Sequence, residues 1–208
     1  MSFSMTHSVV LPYPIGRVFN VLSDAEQMER LQKLTPEAQV FSLLQPDSVS
    51  LPNDALSSLN HGYNMPEGCP RPCESTGTSP QDTANSDMRI FPRTRFEFSG
   101  TVPILFGLIN RPLSVSGAQI VDEEAKVVLF ESGVAAQGIQ EVKLRTFHEV
   151  LLPDNPNGGS GEPRKLGTEV KETVWGSCPF ALSFLLRFLA PRVHRNHMEL
   201  YDRLFDSA

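Results

Sequence analysis

Two predicted strands in the last third of the chain carry ionisable side chains among apolar ones. In residues 167–176, Glu172 has the same parity as the apolar Val170 and Val174. Because successive side chains of a strand point to opposite faces, Glu172 is predicted to face the interior. In residues 138–152 the two parities differ in the same way, with Val142, Leu144, Thr146, His148 and Val150 on one and Glu141, Lys143, Arg145 and Glu149 on the other. The first of these sets is predicted to face inward.

If the two strands form a hairpin that pairs Val150 with Thr168, Glu172 lies opposite Thr146 and diagonal to His148, with Cβ atoms about 5–8 Å apart. A carboxyl group and an imidazole in apolar surroundings can transfer the protons that enolisation, aldol closure or dehydration requires. Burial would raise the carboxyl pKa, and an imidazole titrates near neutrality. His148 and Glu172 are therefore the predicted catalytic pair. The alternative is a structural pair, and a register shift of one residue would separate the two side chains.

Apolar side chains of the strands and of the C-terminal helix are expected to line a ligand cavity or to fill the core. On the same helix His194, His197 and Tyr201 have i, i+3, i+7 spacing, which suits either a cavity mouth or an exposed polar face beside Arg192 and Arg195. The predicted ligand-binding residues are Thr146, Phe96, Phe98, Phe130, Leu144, Val174, Phe184, Phe188, His197 and Tyr201.

No metal site and no cofactor are predicted. Cys69 and Cys73 have His61 upstream, but a structural zinc needs a fourth ligand and none is nearby in the sequence. The His residues of the C-terminal helix are explained equally well by a polar surface. The sequence contains no phosphate-binding glycine loop, dinucleotide fingerprint or nucleophilic serine elbow.

Composition limits the class of protein. The chain has 208 residues, 40% of them hydrophobic and 20% charged, which suits one globular domain. Its net charge of −6 argues against nucleic-acid binding. Three cysteines are too few for a secreted disulfide framework, and the most apolar window, 180–190, is shorter than the roughly 20 residues that span a bilayer. The N-terminus lacks a signal-peptide pattern, so a soluble, cytoplasmic protein is expected.

The order of predicted elements is a strand, two short helices, an antiparallel meander and a long helix over 179–205 that contains Pro191. Residues 45–87 are rich in Pro, Ser, Asn and Gly and are predicted to be a largely disordered insertion. The apolar connection at 101–112 is either a lid over a cavity or a contact with a membrane or partner. The predicted strands cover 3–11, 38–44, 93–100, 113–121, 126–133, 138–152 and 167–176.

This plan resembles the START/Bet v 1-like (SRPBCC) helix-grip superfamily, especially its polyketide cyclase/dehydrase and coenzyme-Q-binding branch. The opening SVVLPYPIGRVFNVLSDAEQMERL and the close, GTEVKETVWG followed by a helix ending RVHRNHMELYDRLF, carry the resemblance. It covers 1–44 and 88–207. It implies a single α+β domain, in which a curved antiparallel sheet wraps around the long C-terminal helix and two short helices follow the first strand.

The resemblance also implies a hydrophobic small-molecule ligand in an internal cavity. We expect cofactor-free cyclisation, dehydration or isomerisation of a polyketide, terpenoid or similar secondary metabolite. The alternative is a non-catalytic carrier of a lipid, sterol or quinone. A third possibility is an interaction module that recruits partners through the insertion. The sequence predicts no transmembrane segment and leaves the oligomeric state open.

Overall fold

A computed structural model describes residues 1–34, 38–52, 56, 88–104, 109–152 and 165–205 of the chain. Within these ranges an eight-stranded antiparallel sheet is combined with three α-helices and two 3-10 turns, at Ala135–Gln137 and Tyr201–Leu204. The helices are α1 (Ile15–Ser23), α2 (Met28–Gln32) and α3 (Phe180–Glu199). The strands are β1 (Ser2–Leu11), β2 (Ala38–Leu43), β3 (Asp47–Pro52), β4 (Met88–Ile104), β5 (Ile109–Asp122), β6 (Val127–Val134), β7 (Ile139–Leu151) and β8 (Leu166–Ser177).

The sheet is a meander closed by the first strand. Its order is β1-β8-β7-β6-β5-β4-β2, and β3 pairs with the part of β4 that β2 leaves free. The short helices α1 and α2 follow β1, and α3 packs beside β1. The predicted fold class is therefore confirmed. No helix in the described ranges is long and apolar enough to cross a membrane.

Apolar side chains bury both faces of the sheet. One set, the helix-side core, comprises Leu11, Val18, Phe19, Leu22, Met28, Leu31, Phe96, Val128, Phe130, Phe147, Val170, Met198, Tyr201, Leu204 and Phe205. The other set, the outer core, comprises Val49, Leu51, Leu56, Phe91, Ile120, Val127, Leu129 and Leu144. Since neighbours in one strand, such as Leu129 and Phe130, belong to different sets, the two cores lie on opposite faces.

Part of the predicted disordered insertion is regular structure. Residues 47–52 form β3, whose Val49 and Leu51 alternate with polar residues and bury against the outer core. Leu56 belongs to the same core and is 1% exposed. The prediction is therefore wrong for 47–52, because two apolar residues at strand spacing are enough once β4 supplies a pairing edge. Residues 53–55 and 57–87 lie outside the described residues.

The apolar connection expected at 101–112 is largely strand. β4 continues to Ile104 and β5 begins at Ile109, with Thr101 paired to Pro112 and Ile104 to Ile109. Residues 105–108 of this connection lie outside the described residues, and the two alternatives for it, a lid over a cavity or a contact with a membrane or partner, stay predictions. The pairing of the two strands extends the hairpin well past β2, whose contact with β4 ends at Gly100.

The β7–β8 register differs by one residue from the prediction. Val150 pairs with Gly167 rather than Thr168, so Glu172 lies opposite Arg145 and not opposite Thr146. A shift of one residue reverses the face of every side chain relative to its partner strand. The charged parity of β7 therefore shares a face with Glu172.

Packing between β5 and the helix-side core predicts a steric limit at Gly117. A Cβ atom there would lie 2.7 Å from the backbone oxygen of Glu131 and 2.5 Å from the ring of Phe96. We expect Gly117→Ala to lower the free energy of unfolding by about 1–3 kcal/mol in urea titrations. As the control, Gly16→Ala lies in α1 with no atom within 4 Å of the added carbon and should stabilise by about 0.5–1 kcal/mol. Equal effects of the two substitutions would contradict this packing.

Candidate functional site

A buried polar cluster lies between β7, β8 and the C-terminal turn. Glu172, Arg145 and Tyr201 are each 0% exposed. Arg145 Nε and the Tyr201 hydroxyl, at 2.8 Å, both donate hydrogen bonds to Glu172 Oε1. Arg145 Nη2 donates to the Tyr201 oxygen at 3.0 Å, and Nη1 donates to the backbone oxygen of Leu22 at 2.6 Å. The guanidinium therefore joins the sheet to the end of α1 and to the turn after α3.

The cluster keeps its charges despite complete burial. Burial opposes the ionised form of Glu172, but the positive charges of Arg145 and Lys143 outweigh it and hold the pKa of this carboxyl well below its usual range. The predicted upward shift of its pKa is therefore wrong. Burial likewise opposes the charge of Arg145, yet Glu172 and Tyr201 raise its pKa. The guanidinium also lies 5.0 Å from the ring centroid of Phe130, which favours a cation.

The second carboxylate oxygen of Glu172 is the open position of the cluster. Oε2 is buried and accepts no hydrogen bond in the described structure. His194 Nε2 lies 3.4 Å from it and Lys143 Nζ lies 3.8 Å from it. The side chains of His194 and Lys143 are 11% and 15% exposed, so they connect the buried oxygen with the surface. An ionised acceptor with a free lone pair and two nitrogen groups beside it is an arrangement that can bind and transfer protons.

Burial adjusts the pKa values of the surrounding groups. It lowers the pKa of Lys143, an effect that the negative charge of Glu172 only partly offsets. It lowers the pKa of His194 to about 4 and that of His197 to about 3, so both imidazoles are neutral at pH 7. It raises the pKa of Glu141, which precedes Lys143 on the same face of β7. At neutral pH, Lys143 is thus the cation of this cluster that most easily loses its proton.

The structure separates the two predicted catalytic residues. Glu172 faces the interior as predicted, but His148 is exposed, pairs with Glu169 across the sheet and lies on the opposite face. Thr146 and Leu144 are buried on that opposite face as well, where Leu144 joins the outer core and the Thr146 hydroxyl lacks a hydrogen-bond partner. The inward placement predicted for His148, Thr146 and Leu144 with Glu172 is therefore wrong, because both faces of β7 bury apolar residues and the strand turns its other parity toward Glu172.

The other predicted ligand-binding residues fall into two groups, those exposed on the outward side of α3 and those buried between α3 and the sheet. Phe184 and Phe188 are 72% and 63% exposed, so the prediction that they line the interior is wrong. Their exposure places them on the outward side of α3, whereas Met198 near its end is buried. His197 is half-buried and its ring contacts that of Tyr201, with centroids 5.4 Å apart. The remaining four, Phe96, Phe98, Phe130 and Val174, are buried or half-buried on the helix side, and their role in binding a ligand stays a prediction.

Sequence reasoning misses Lys143 and Arg145 because charged residues at alternate positions of a strand usually form a solvated face. A signal for them exists in the sequence. Lys143 and Arg145 are two basic residues at strand spacing, and their charge complements Glu172, the one carboxylate among the apolar positions of β8. His194, for which the sequence allows both placements, faces the cluster.

A second buried carboxyl group lies on the outer face of the sheet. Glu131 of β6 is 3% exposed, and burial raises its pKa to about 7 although the charge of Arg93 acts in the other direction. Arg93 is held by two hydrogen bonds to Asp47 at the start of β3. Glu131 lies on the face of the sheet opposite Glu172, and the Arg93 beside it holds the start of β3 through Asp47. The described ranges contain no group of three or more His, Cys, Asp or Glu suited to a metal ion, and Cys69, Cys73 and His61 lie outside them.

The shifted pKa values predict opposite pH effects on stability for two groups. Below pH 6.5 the unfolded state binds a proton at His194 that the folded state accepts only near pH 4, so this group destabilises the protein as pH falls. Glu131 holds its proton up to about pH 7 when folded, against 4.5 when unfolded, so it destabilises as pH rises. In urea titrations, His194→Gln should reduce the loss of stability between pH 7 and 4.5 by about 1–2 kcal/mol, and Glu131→Gln should increase it. Identical pH profiles for both variants and the unmodified protein would contradict these shifts.

Comparison with known proteins identifies the architecture. No protein-family model matches the chain, and no curated protein matches it in sequence. Among solved structures it is similar to the protein TTHA0849 from Thermus thermophilus, at 15% identity and a TM-score of 0.51 over 99% of both chains. It is similar to Ara h 8.0201, at 10% identity and a TM-score of 0.51 over 100% of both chains.

A third similar structure is a point mutant of norcoclaurine synthase from Thalictrum flavum, in complex with a transition-state analogue. The identity is 11% and the TM-score is 0.52, over 99% of this chain and 96% of that one. At these identities the similarity concerns the fold. The chain has the helix-grip fold of the Bet v 1-like proteins, with a large curved antiparallel sheet and a long C-terminal helix.

Proposed function

We propose that this protein binds a hydrophobic small molecule between the sheet and α3 and converts it, without a cofactor, by proton transfer at Lys143, Glu172 and His194. Cyclisation, dehydration and isomerisation are the reactions that such a transfer supports. The observation that carries the proposal is the buried Oε2 atom of Glu172, which is ionised, accepts no hydrogen bond and has two nitrogen groups within 4 Å. An unused acceptor in an apolar interior costs free energy unless something binds there.

Each residue of the cluster has a role that follows from its charge and position. Arg145 and Tyr201 occupy Oε1 of Glu172 and fix the carboxylate, so they are positioning residues. In the proposed reaction the Lys143 ammonium, whose pKa burial lowers, first gives a proton to water, and the free amine then takes a proton from a carbon next to a substrate carbonyl. The C–H bond breaks, an N–H bond forms and the electron pair moves onto the carbonyl oxygen. The new ammonium is then paired with Glu172, which stabilises the transition state.

His194 completes the path for the proton. Its neutral imidazole lies 3.4 Å from Oε2 and is partly exposed, so the ionised Glu172 would stabilise the imidazolium that forms when His194 takes up a proton from the solvent side. Protonation of the enolate oxygen or of a leaving hydroxyl would then end the reaction. Both steps need only groups of this chain, and the proton that leaves the substrate is returned to it or to water.

Fold similarity gives limited support to an enzyme of this kind. One structure with this fold is a norcoclaurine synthase mutant in complex with a transition-state analogue, so an enzyme is among the proteins of this architecture. The resemblance of the sequence to the polyketide cyclase/dehydrase branch favours a polyketide or terpenoid substrate. Because function on a shared fold depends on the site residues, the proposal rests on Glu172 and its neighbours.

A non-catalytic carrier of a lipid, sterol or quinone is the second candidate. One observation favours it: all three nitrogens of Arg145 donate hydrogen bonds to protein oxygens, as expected of an ion pair with a structural role. In a carrier, Glu172 and Lys143 would hold the polar end of the ligand and no bond would change.

Proton abstraction at Lys143 is testable with a hydrophobic ketone. We expect the protein to accelerate deuterium incorporation next to the carbonyl of 2-tetralone in D₂O, followed by NMR. Lys143→Met should lower this rate about 10²–10⁴-fold, because the amine that accepts the proton is gone. His148→Ala is the matched control and should leave the rate unchanged, since it is exposed on the other face. Tetralone binding, measured by calorimetry, without any acceleration would favour the carrier.

A double-mutant cycle measures how much the Arg145–Glu172 ion pair contributes to the free energy of unfolding. Glu172→Leu leaves the Arg145 charge buried without its partner and should lower the free energy of unfolding by about 3–5 kcal/mol. The double variant Arg145→Met/Glu172→Leu removes both charges and should recover most of that loss in urea titrations. Additive losses from the two positions would show that the pair is not coupled as the structure places it.

A further inference from the structure

The outward side of α3 carries an exposed row of aromatic rings. Phe180, Phe184 and Phe188 follow one another at four-residue spacing and are 81%, 72% and 63% exposed. The rings of Phe184 and Phe188 contact each other, with centroids 4.8 Å apart. Single exposed apolar residues are ordinary, but three adjacent aromatic rings form a patch of the kind that marks an interaction surface.

Positive charge accompanies this row. The next position at the same spacing is Arg192, and Arg187 and Arg195 are exposed nearby. α3 contains three arginines and one acidic residue, Glu199, whereas the whole chain has a net charge of −6. The outward side of α3 is therefore aromatic at its N-terminal half and basic at its C-terminal half, on a protein that is otherwise acidic.

The aromatic row lies at the end of the sheet from which the β4–β5 hairpin extends. α3 starts three residues after Ser177, which pairs with Gln140 near the start of β7. From Gln140 of β7 the register leads through Gly133 of β6 and Ser116 of β5 to Glu97 of β4, and the hairpin continues past it to Ile104. Apolar positions of two separate elements thus lie at one end of the molecule.

We propose that this end of the protein docks on the surface of an anionic lipid bilayer through the outward side of α3. Phe180 to Phe188 span about 12 Å along the helix, and interfacial helices bury their apolar side about 5–10 Å into the headgroup region. Arg192 and Arg195, one and two turns further along, then lie at the level of the lipid phosphates. Basic charge beside aromatic rings is the composition that binds anionic membranes.

A second copy of the chain fits this face less well. A two-fold symmetric contact joins the same patch of both protomers, so it would place the arginines of two copies in one interface with only Glu199 of each α3 as counter-charge. An anionic bilayer offers both an apolar phase for the rings and negative charge for the guanidinium groups. The docking does not depend on the reaction proposed above, because the rings and the Glu172 cluster lie on different sides of α3.

The experiment is co-sedimentation of the full chain with phosphatidylcholine vesicles that contain or lack phosphatidylserine. Binding is expected with phosphatidylserine and should weaken as salt is added, because part of it is electrostatic. Phe184→Ser/Phe188→Ser should lower the partition coefficient at least about tenfold, and Arg192→Glu/Arg195→Glu should abolish the preference for phosphatidylserine. Ile90→Ser, at a residue of β4 that is 66% exposed, is the matched control and should bind as the unmodified protein does.

Three results would overturn the proposal. The first is no co-sedimentation with vesicles that contain phosphatidylserine. The second is binding that the two phenylalanine substitutions leave unchanged. The third is a dimer in analytical ultracentrifugation that Phe184→Ser/Phe188→Ser dissociates, which would assign the face to a second copy. Circular dichroism melting checks that each variant is folded, which is expected because all the substituted side chains are exposed.

Discussion

The buried ion pair between Arg145 and Glu172 is the constraint on which the interior depends. Two charges removed from water cost several kcal/mol each unless every polar group around them is matched. Arg145 meets that condition by donating to Glu172, to Tyr201 and to the backbone of Leu22, so β7, β8, α1 and the C-terminal turn must take fixed positions around it. The same arrangement leaves Oε2 of Glu172 without a donor. The ion pair thus both fixes the interior and leaves the acceptor on which the proposed reaction depends.

The sequence predicts which face of a strand points inward only where apolar side chains are confined to one of its two faces. In β8 the inward side chains Val170 and Val174 alternate with charged or half-buried neighbours, and parity correctly predicts the inward placement of Glu172. In β7 both Leu144 and Phe147 are buried, on opposite faces, so apolar parity no longer identifies the interior. Parity then assigns the charged side chains to solvent, and His148 takes the place of Arg145 as the predicted partner of Glu172.

The second core explains a related error. The polar composition of residues 45–87 predicts disorder. Val49 and Leu51 bury too little apolar surface to form a stable strand without a partner strand. They do so because β4 is long enough to pair with β2 and β3 in succession, and because Phe91, Leu129 and Leu144 already cover that face of the sheet. Pairing between positions some 40 residues apart is not encoded in local composition. The overall plan is predictable because it depends on the order of elements rather than on these contacts.

Helix α3 shows why apolar periodicity alone cannot assign its faces. Its first half is apolar on nearly every side, so the sequence predicts a helix there without indicating which side is buried. The choice is made by its second half, where His194 and Met198 turn toward the sheet and Arg192 and Arg195 turn away. In the folded protein His194 faces Glu172 while Phe184 and Phe188 are exposed, and Pro191 lies between these two halves of the helix. The helix thus presents an imidazole to the ionic interior and aromatic rings to the outside, an assignment of faces that apolar periodicity does not contain.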